Sequence, residues 1–127
     1  MLEIGTEQER AFPHKEITEA IVGAAFEVYN ELGYGYLHRV YQNSLKIELD
    51  RRGRCSELEK RINVSYKELA VGYYDVDEAV LIEIQIAPQY DKRDEAQLLN
   101  LLKACRLKVG MLVNFGRYKV EYRRLVF

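Results

Sequence analysis

An apolar strand that carries a carboxylate constrains this chain more than any other feature. Val80-Leu81-Ile82-Glu83-Ile84-Gln85-Ile86 has the β-branched richness of a core strand. Alternation puts Val80, Ile82, Ile84 and Ile86 on one face and Glu83 with Gln85 on the other. Burying an unpaired carboxylate is costly, so the polar positions call for a reason. Asp75 precedes the strand across the turn Asp77-Glu78, where a neighbouring strand would set it beside Glu83. Two carboxylates at adjacent strand ends suit a hard cation such as Mg²⁺. Such an ion can polarise a phosphodiester and supply a hydroxide nucleophile. A solvated acidic sheet face is the plain alternative.

The flanking sequence supplies the rest of a fold. Ile17, Ala20, Ile21, Ala24, Ala25, Val28 and Leu32 recur at helical spacing over residues 15–32, and Gly33-Tyr34-Gly35 ends that helix. A second helix is expected from Leu37 to Arg52, with Leu37, Val40, Tyr41, Leu45 and Leu49 buried and Gly53 as its stop. Arg61–Tyr66 and Leu69–Val76 read as strands around a Lys67-Glu68 turn, and Ala79–Ile86 as a third strand stopped by Pro88. Asp91–Arg106 returns to helical period, with Ala96, Leu99, Leu102 and Cys105 aligned. Val109–Phe115 is a buried type of strand, and Lys119–Phe127 a last one after the Gly116-Arg117 turn. The order is α-α-β-β-β-α-β-β. Its strand–helix–strand crossover predicts parallel pairing of the third and fourth strands in a mixed α+β sheet, covered by helices.

With 127 residues, 48% hydrophobic and 31% charged, the composition is that of an ordinary one-core domain. No apolar run approaches the roughly 20 residues of a membrane span. Met1–Arg10 lacks the basic-then-apolar order of a signal peptide. Cys55 and Cys105 have no metal-type spacing and read as free thiols of a reducing cytosol, so a cytoplasmic location is expected. The net charge of −1 provides no general field for nucleic acid. Arg51, Arg52 and Arg54, and again Arg117, Lys119, Arg123 and Arg124, form local basic groups that read as solvated surface before phosphate contacts. The sequence holds no phosphate-binding glycine loop, no nucleophile elbow and no zinc spacing. Glu27 and Glu31 lie on one helix face, and His14 precedes the first helix as a local turn or cap group.

The chain resembles the family named for its G-x-x-E-x-x-Y motif, a branch of the PD-(D/E)XK, restriction-endonuclease-like superfamily. The resemblance runs from about Ile17 to Phe115. It is carried by Ile21-Val22-Gly23-Ala24-Ala25-Phe26-Glu27-Val28, Leu32-Gly33-Tyr34-Gly35-Tyr36-Leu37, Gly72-Tyr73-Tyr74-Asp75, the Glu83 strand, Glu95-Ala96-Gln97-Leu98-Leu99 and Leu112-Val113-Asn114-Phe115-Gly116. It implies an αβββαβ core, here with an extra N-terminal helix and C-terminal strand. Residues 1–14 would be a tail and 15–127 a single PD-(D/E)XK-like domain. It also implies Mg²⁺ or Mn²⁺ as cofactor, with Asp75 and Glu83 as metal ligands and Gln97 near the site.

Four departures bear on activity. The name-motif Glu is His38, the site Lys is Gln85, a helix Tyr is Leu101, and the turn between Asp75 and Glu83 is about two residues short. Gln85 cannot offset developing negative charge as an ammonium does. His38 can act as a base near neutral pH but does not replace a carboxylate on Mg²⁺. The favoured expectation is a nuclease-fold protein that has lost or weakened catalysis and acts as a binding or assembly subunit. The alternative is a Mg²⁺-dependent phosphodiesterase on DNA or RNA, using Asp75 and Glu83, with Gln85 orienting the attacking water and Gln97 and His38 in support. A weaker third reading is a nucleic-acid-binding module without cleavage. The chain has ten tyrosines. Tyr34, Tyr36, Tyr73 and Tyr74 are the candidates for exposure, able to stack bases or to meet a protein. With so small a net charge, a protein partner or a second copy is the favoured expectation.

Overall fold

The computed structural model describes residues 15–54, 64–66, 69–72 and 80–126. The element order is the expected one: α1 (Lys15–Leu32), α2 (His38–Arg51), β1 (Val64–Tyr66), β2 (Leu69–Gly72), β3 (Val80–Gln85), α3 (Arg93–Cys105), β4 (Val109–Phe115) and β5 (Val120–Val126). β1 and β2 pair antiparallel, with Tyr66 opposite Leu69. β3, β4 and β5 form a mixed sheet in that order. β3 and β4 pair in parallel, Glu83 opposite Leu112 and Gln85 opposite Asn114. β4 and β5 pair antiparallel. The α3 crossover makes the parallel pair possible, since a short turn cannot join parallel strands.

The sheet separates two apolar layers. One holds Ile21, Ala24, Ala25 and Val28 of α1 and Tyr41, Leu45 and Leu49 of α2, packed with Val80, Val109, Met111, Val113, Phe115 and Val120. Ile82, Ile84 and Ile86 join the same side. The other holds Leu98 and Leu102 of α3 against Leu112 and Leu125, with Leu81 at its margin. The alternation read along β3 is therefore the real one, and Glu83 and Gln85 share the α3 face with Leu81.

Two expectations about helix faces are corrected. Leu37 is not on the buried face of α2. It is the residue before the first helical turn, with extended backbone, and is 77% exposed. Helical periodicity does not govern a residue outside the helix. On α3 the buried row is Leu98 and Leu102, with Leu99 partly buried and Ala96 exposed. Gly110 explains that choice. A Cβ there would lie 3.1 Å from both Leu98 and Leu102, so the missing side chain lets this row settle onto β4. The side chain of Cys105, and Cys55 and His14 altogether, lie outside the described residues.

Among the described residues, several basic side chains are committed to acidic partners or buried, and Arg117 with Lys119 is the exposed pair of the second group. Arg52 pairs with Glu48, Arg54 with Glu16 and Arg123 with Glu95. Arg124 is buried. Arg117 and Lys119 are exposed in the β4–β5 turn. Among the described residues no helix is long and apolar enough to cross a membrane.

Candidate functional site

The C-terminal half of β3 places Glu83 half-buried on the face toward α3. Burial raises its carboxyl pKa above the ordinary carboxylate range. The carboxylate of Asp94 raises it further, and the nearby charge of His38 opposes them more weakly. Glu83 of β3 thus lies within electrostatic reach of Asp94 on α3 and His38 on α2, at one corner of the sheet. His38 is the first residue of α2, which crosses β3, and its side chain is exposed.

Two residues on, Gln85 is buried and fully engaged. Its amide nitrogen donates to the Asp91 carbonyl at 2.6 Å and to Asp94 Oδ2 at 2.9 Å. Its amide oxygen accepts from the Asp91 backbone N–H at 3.2 Å. Gln85 therefore ties the end of β3 to the segment that opens α3. A side chain with both a donor and an acceptor is needed for that pattern, and an ammonium has no acceptor. Asp91 in turn holds Arg93 through a 2.7 Å ion pair, which keeps its carboxyl below the usual range.

Asn114, opposite Gln85 on β4, makes a second tie. Its Oδ1 accepts from the Ala87 N–H at 2.9 Å and its Nδ2 donates to the Ala87 carbonyl at 3.0 Å. The fully buried amide serves the two backbone groups of Ala87 just past the end of β3. Behind it, the Tyr90 hydroxyl donates to Glu95 at 2.8 Å, and Glu95 also pairs with Arg123 at 3.2 Å. Burial, then the bond to Glu95, holds the Tyr90 hydroxyl well above its ordinary pKa.

Of the expected site residues, the structure brings Glu83, Gln85 and His38 to one corner. Gln97 is exposed on α3, one helical turn beyond Asp94. Asp75 lies outside the described residues, as do Tyr73 and Tyr74. Asp94 was not among the residues singled out from sequence. Its only signal was membership of the acidic first turn Asp94-Glu95, which reads equally well as a helix-dipole partner. Among the described residues no three His, Cys, Asp or Glu side chains gather as a metal-holding group. The oxygen donors Glu83 and Asp94 have the right chemistry for a hard cation, but a complete set would need ligands from beyond them.

The family model of the PD-(D/E)XK nuclease superfamily matches residues 15–125. A mixed sheet entered through two helices, with a strand carboxylate beside the crossover helix, agrees with that match, and the chain belongs to this superfamily. Comparison with curated proteins gives no match. Comparison with solved structures gives none either.

Proposed function

We propose that this chain is a member of the G-x-x-E-x-x-Y branch of the superfamily that binds through its nuclease fold without cutting. The observation that carries this reading is the commitment of Gln85. In a hydrolytic site this position would face the reacting phosphate with a positive charge, or at least with a free polar group to hold water. Here its amide is committed to Asp91 and Asp94. The nearest charge it meets is negative. Burial, and then the Asp94 carboxylate, disfavour the ionised form of Glu83. A phosphodiester gathering negative charge there would meet repulsion, unless a cation intervened.

The acidic pair also supports the second reading, a metal-dependent phosphodiesterase in which Asp75 and Glu83 share one ion. The test is cleavage of single- and double-stranded DNA and RNA with Mg²⁺ or Mn²⁺ present, run beside Asp75→Ala. The expected result is no turnover above that of the variant. Cleavage that disappears in Asp75→Ala would overturn the non-cutting reading.

A further inference from the structure

Two surface segments present exposed aromatic rings, one of which, Tyr36, also sets its edge against the buried Tyr41 at 6.3 Å. The α1–α2 loop carries Tyr34 and Tyr36, 36% and 50% exposed, and the β4–β5 turn carries Tyr118, 84% exposed. The two segments meet, since the Arg117 guanidinium lies 6.0 Å from the Tyr34 ring centre. The partly buried Tyr29 and the buried Tyr41 hold both in place. The Tyr29 hydroxyl donates to the Gly116 carbonyl at 2.8 Å. The Tyr41 hydroxyl donates to the Gly33 carbonyl and accepts the Tyr36 N–H, while its ring stacks on Phe115 at 4.6 Å. The Arg117 N–H donates to the Pro88 carbonyl, which ties the turn to the chain leaving β3. Gly33 and Gly35 have φ of 72° and 112°, a backbone that glycine adopts without strain. A Cβ on Gly116 would lie 2.8 Å from the Lys119 carbonyl oxygen. The rings are therefore offered on a backbone already fixed before any partner arrives, which lowers the ordering cost of binding.

We propose that this surface is a stacking platform for single-stranded nucleic acid, with Tyr34, Tyr36 and Tyr118 receiving unpaired bases and Arg117 and Lys119 meeting the backbone phosphates. Exposed rings alone fit a protein partner equally well. The two exposed cations of the turn, one set against a ring, favour a ligand that alternates flat faces with negative charge. A duplex hides its base faces and does not fit. The inference rests on the binding reading above, but on a set of residues separate from Glu83.

The test is fluorescence anisotropy with a labelled thymidine or uridine strand in EDTA, where metal-dependent cleavage cannot contribute. Two controls carry the discrimination, the matching duplex and an abasic strand of equal length. The single strand should bind at least tenfold tighter than either. Tyr118→Ala and Tyr36→Ala should each weaken it about tenfold, in line with the loss of one stacked base, and Tyr118→Phe should restore it. The slope of log affinity against log salt should be about −1.4, the value for two phosphate contacts on a single strand. Equal affinity for the abasic strand, no effect of Tyr118→Ala, or no binding would overturn the proposal. So would a dimer in light scattering that Tyr118→Ala dissociates, which would assign the surface to a second copy of the chain. None of these outcomes alters the cleavage result, so the two readings fail separately.

Discussion

At the scale of single residues, Glu83 and Gln85 are two positions apart on one strand face and have opposite situations. Gln85 has found partners for its amide, while Glu83 is half-buried with Asp94 near it. An acid whose pKa is raised by folding destabilises the fold when it ionises. That cost is absent below the ordinary carboxylate pKa and complete above the raised one, so stability falls as pH climbs through the interval. Glu83→Gln removes the titration. The variant should therefore melt at a higher temperature than the parent at pH 8 in EDTA, and the gap should close below about pH 4. Thermal denaturation of both proteins across that range checks it. A variant that melts lower at pH 8 would overturn this account of Glu83.

At the scale of elements, the joins between helices and strands are made by side chains that reach backbone. Tyr41 is the clearest case, joining α2 to the end of α1 through Gly33 and to β4 through Phe115. Tyr41→Phe keeps the ring and removes the hydroxyl. It should cost about 1–2 kcal/mol, the range for losing a hydrogen bond whose partners stay partly shielded. Urea denaturation measures this, and an unchanged midpoint would mean that water replaces the hydroxyl freely. Element bounds were legible to within a few residues: α1 and β4 fall where the periodicity puts them, and α2 and α3 begin a residue or two later than expected. The misplaced face of α3 had no sequence signal of its own. It depends on Gly110, which belongs to another element and meets Leu98 and Leu102 only after the crossover closes.

At the scale of the whole molecule, one sheet serves two apolar layers, and its central strand β4 contributes to both. Val113 and Phe115 enter the helix-pair layer, and Leu112 enters the α3 layer, all fully buried. Leu112→Ala should lower stability by about 2–5 kcal/mol, as for other buried leucines cut to alanine. Because the layers share β4, unfolding followed by α-helical circular dichroism and by tyrosine fluorescence should remain one coincident transition in the variant. Separate transitions would show that the α3 layer unfolds by itself.

The local sequence by itself determined the element order, the parallel crossover and the two faces of β3, because these follow from periodicity and chain connectivity. It also pointed to Glu83 as the polar exception in a core strand. The partners of that exception were decided only by tertiary structure. Asp94 reaches Gln85 from nine residues on, and Asn114 reaches Ala87 from 27 residues on. Tyr34 finds Arg117 across most of the chain. Pairings of this kind depend on where the folded backbone brings distant residues, and a short-range pattern holds no record of that. The polar strand was legible; the commitment of Gln85 to the start of α3 was not, and on that commitment the case against cleavage rests.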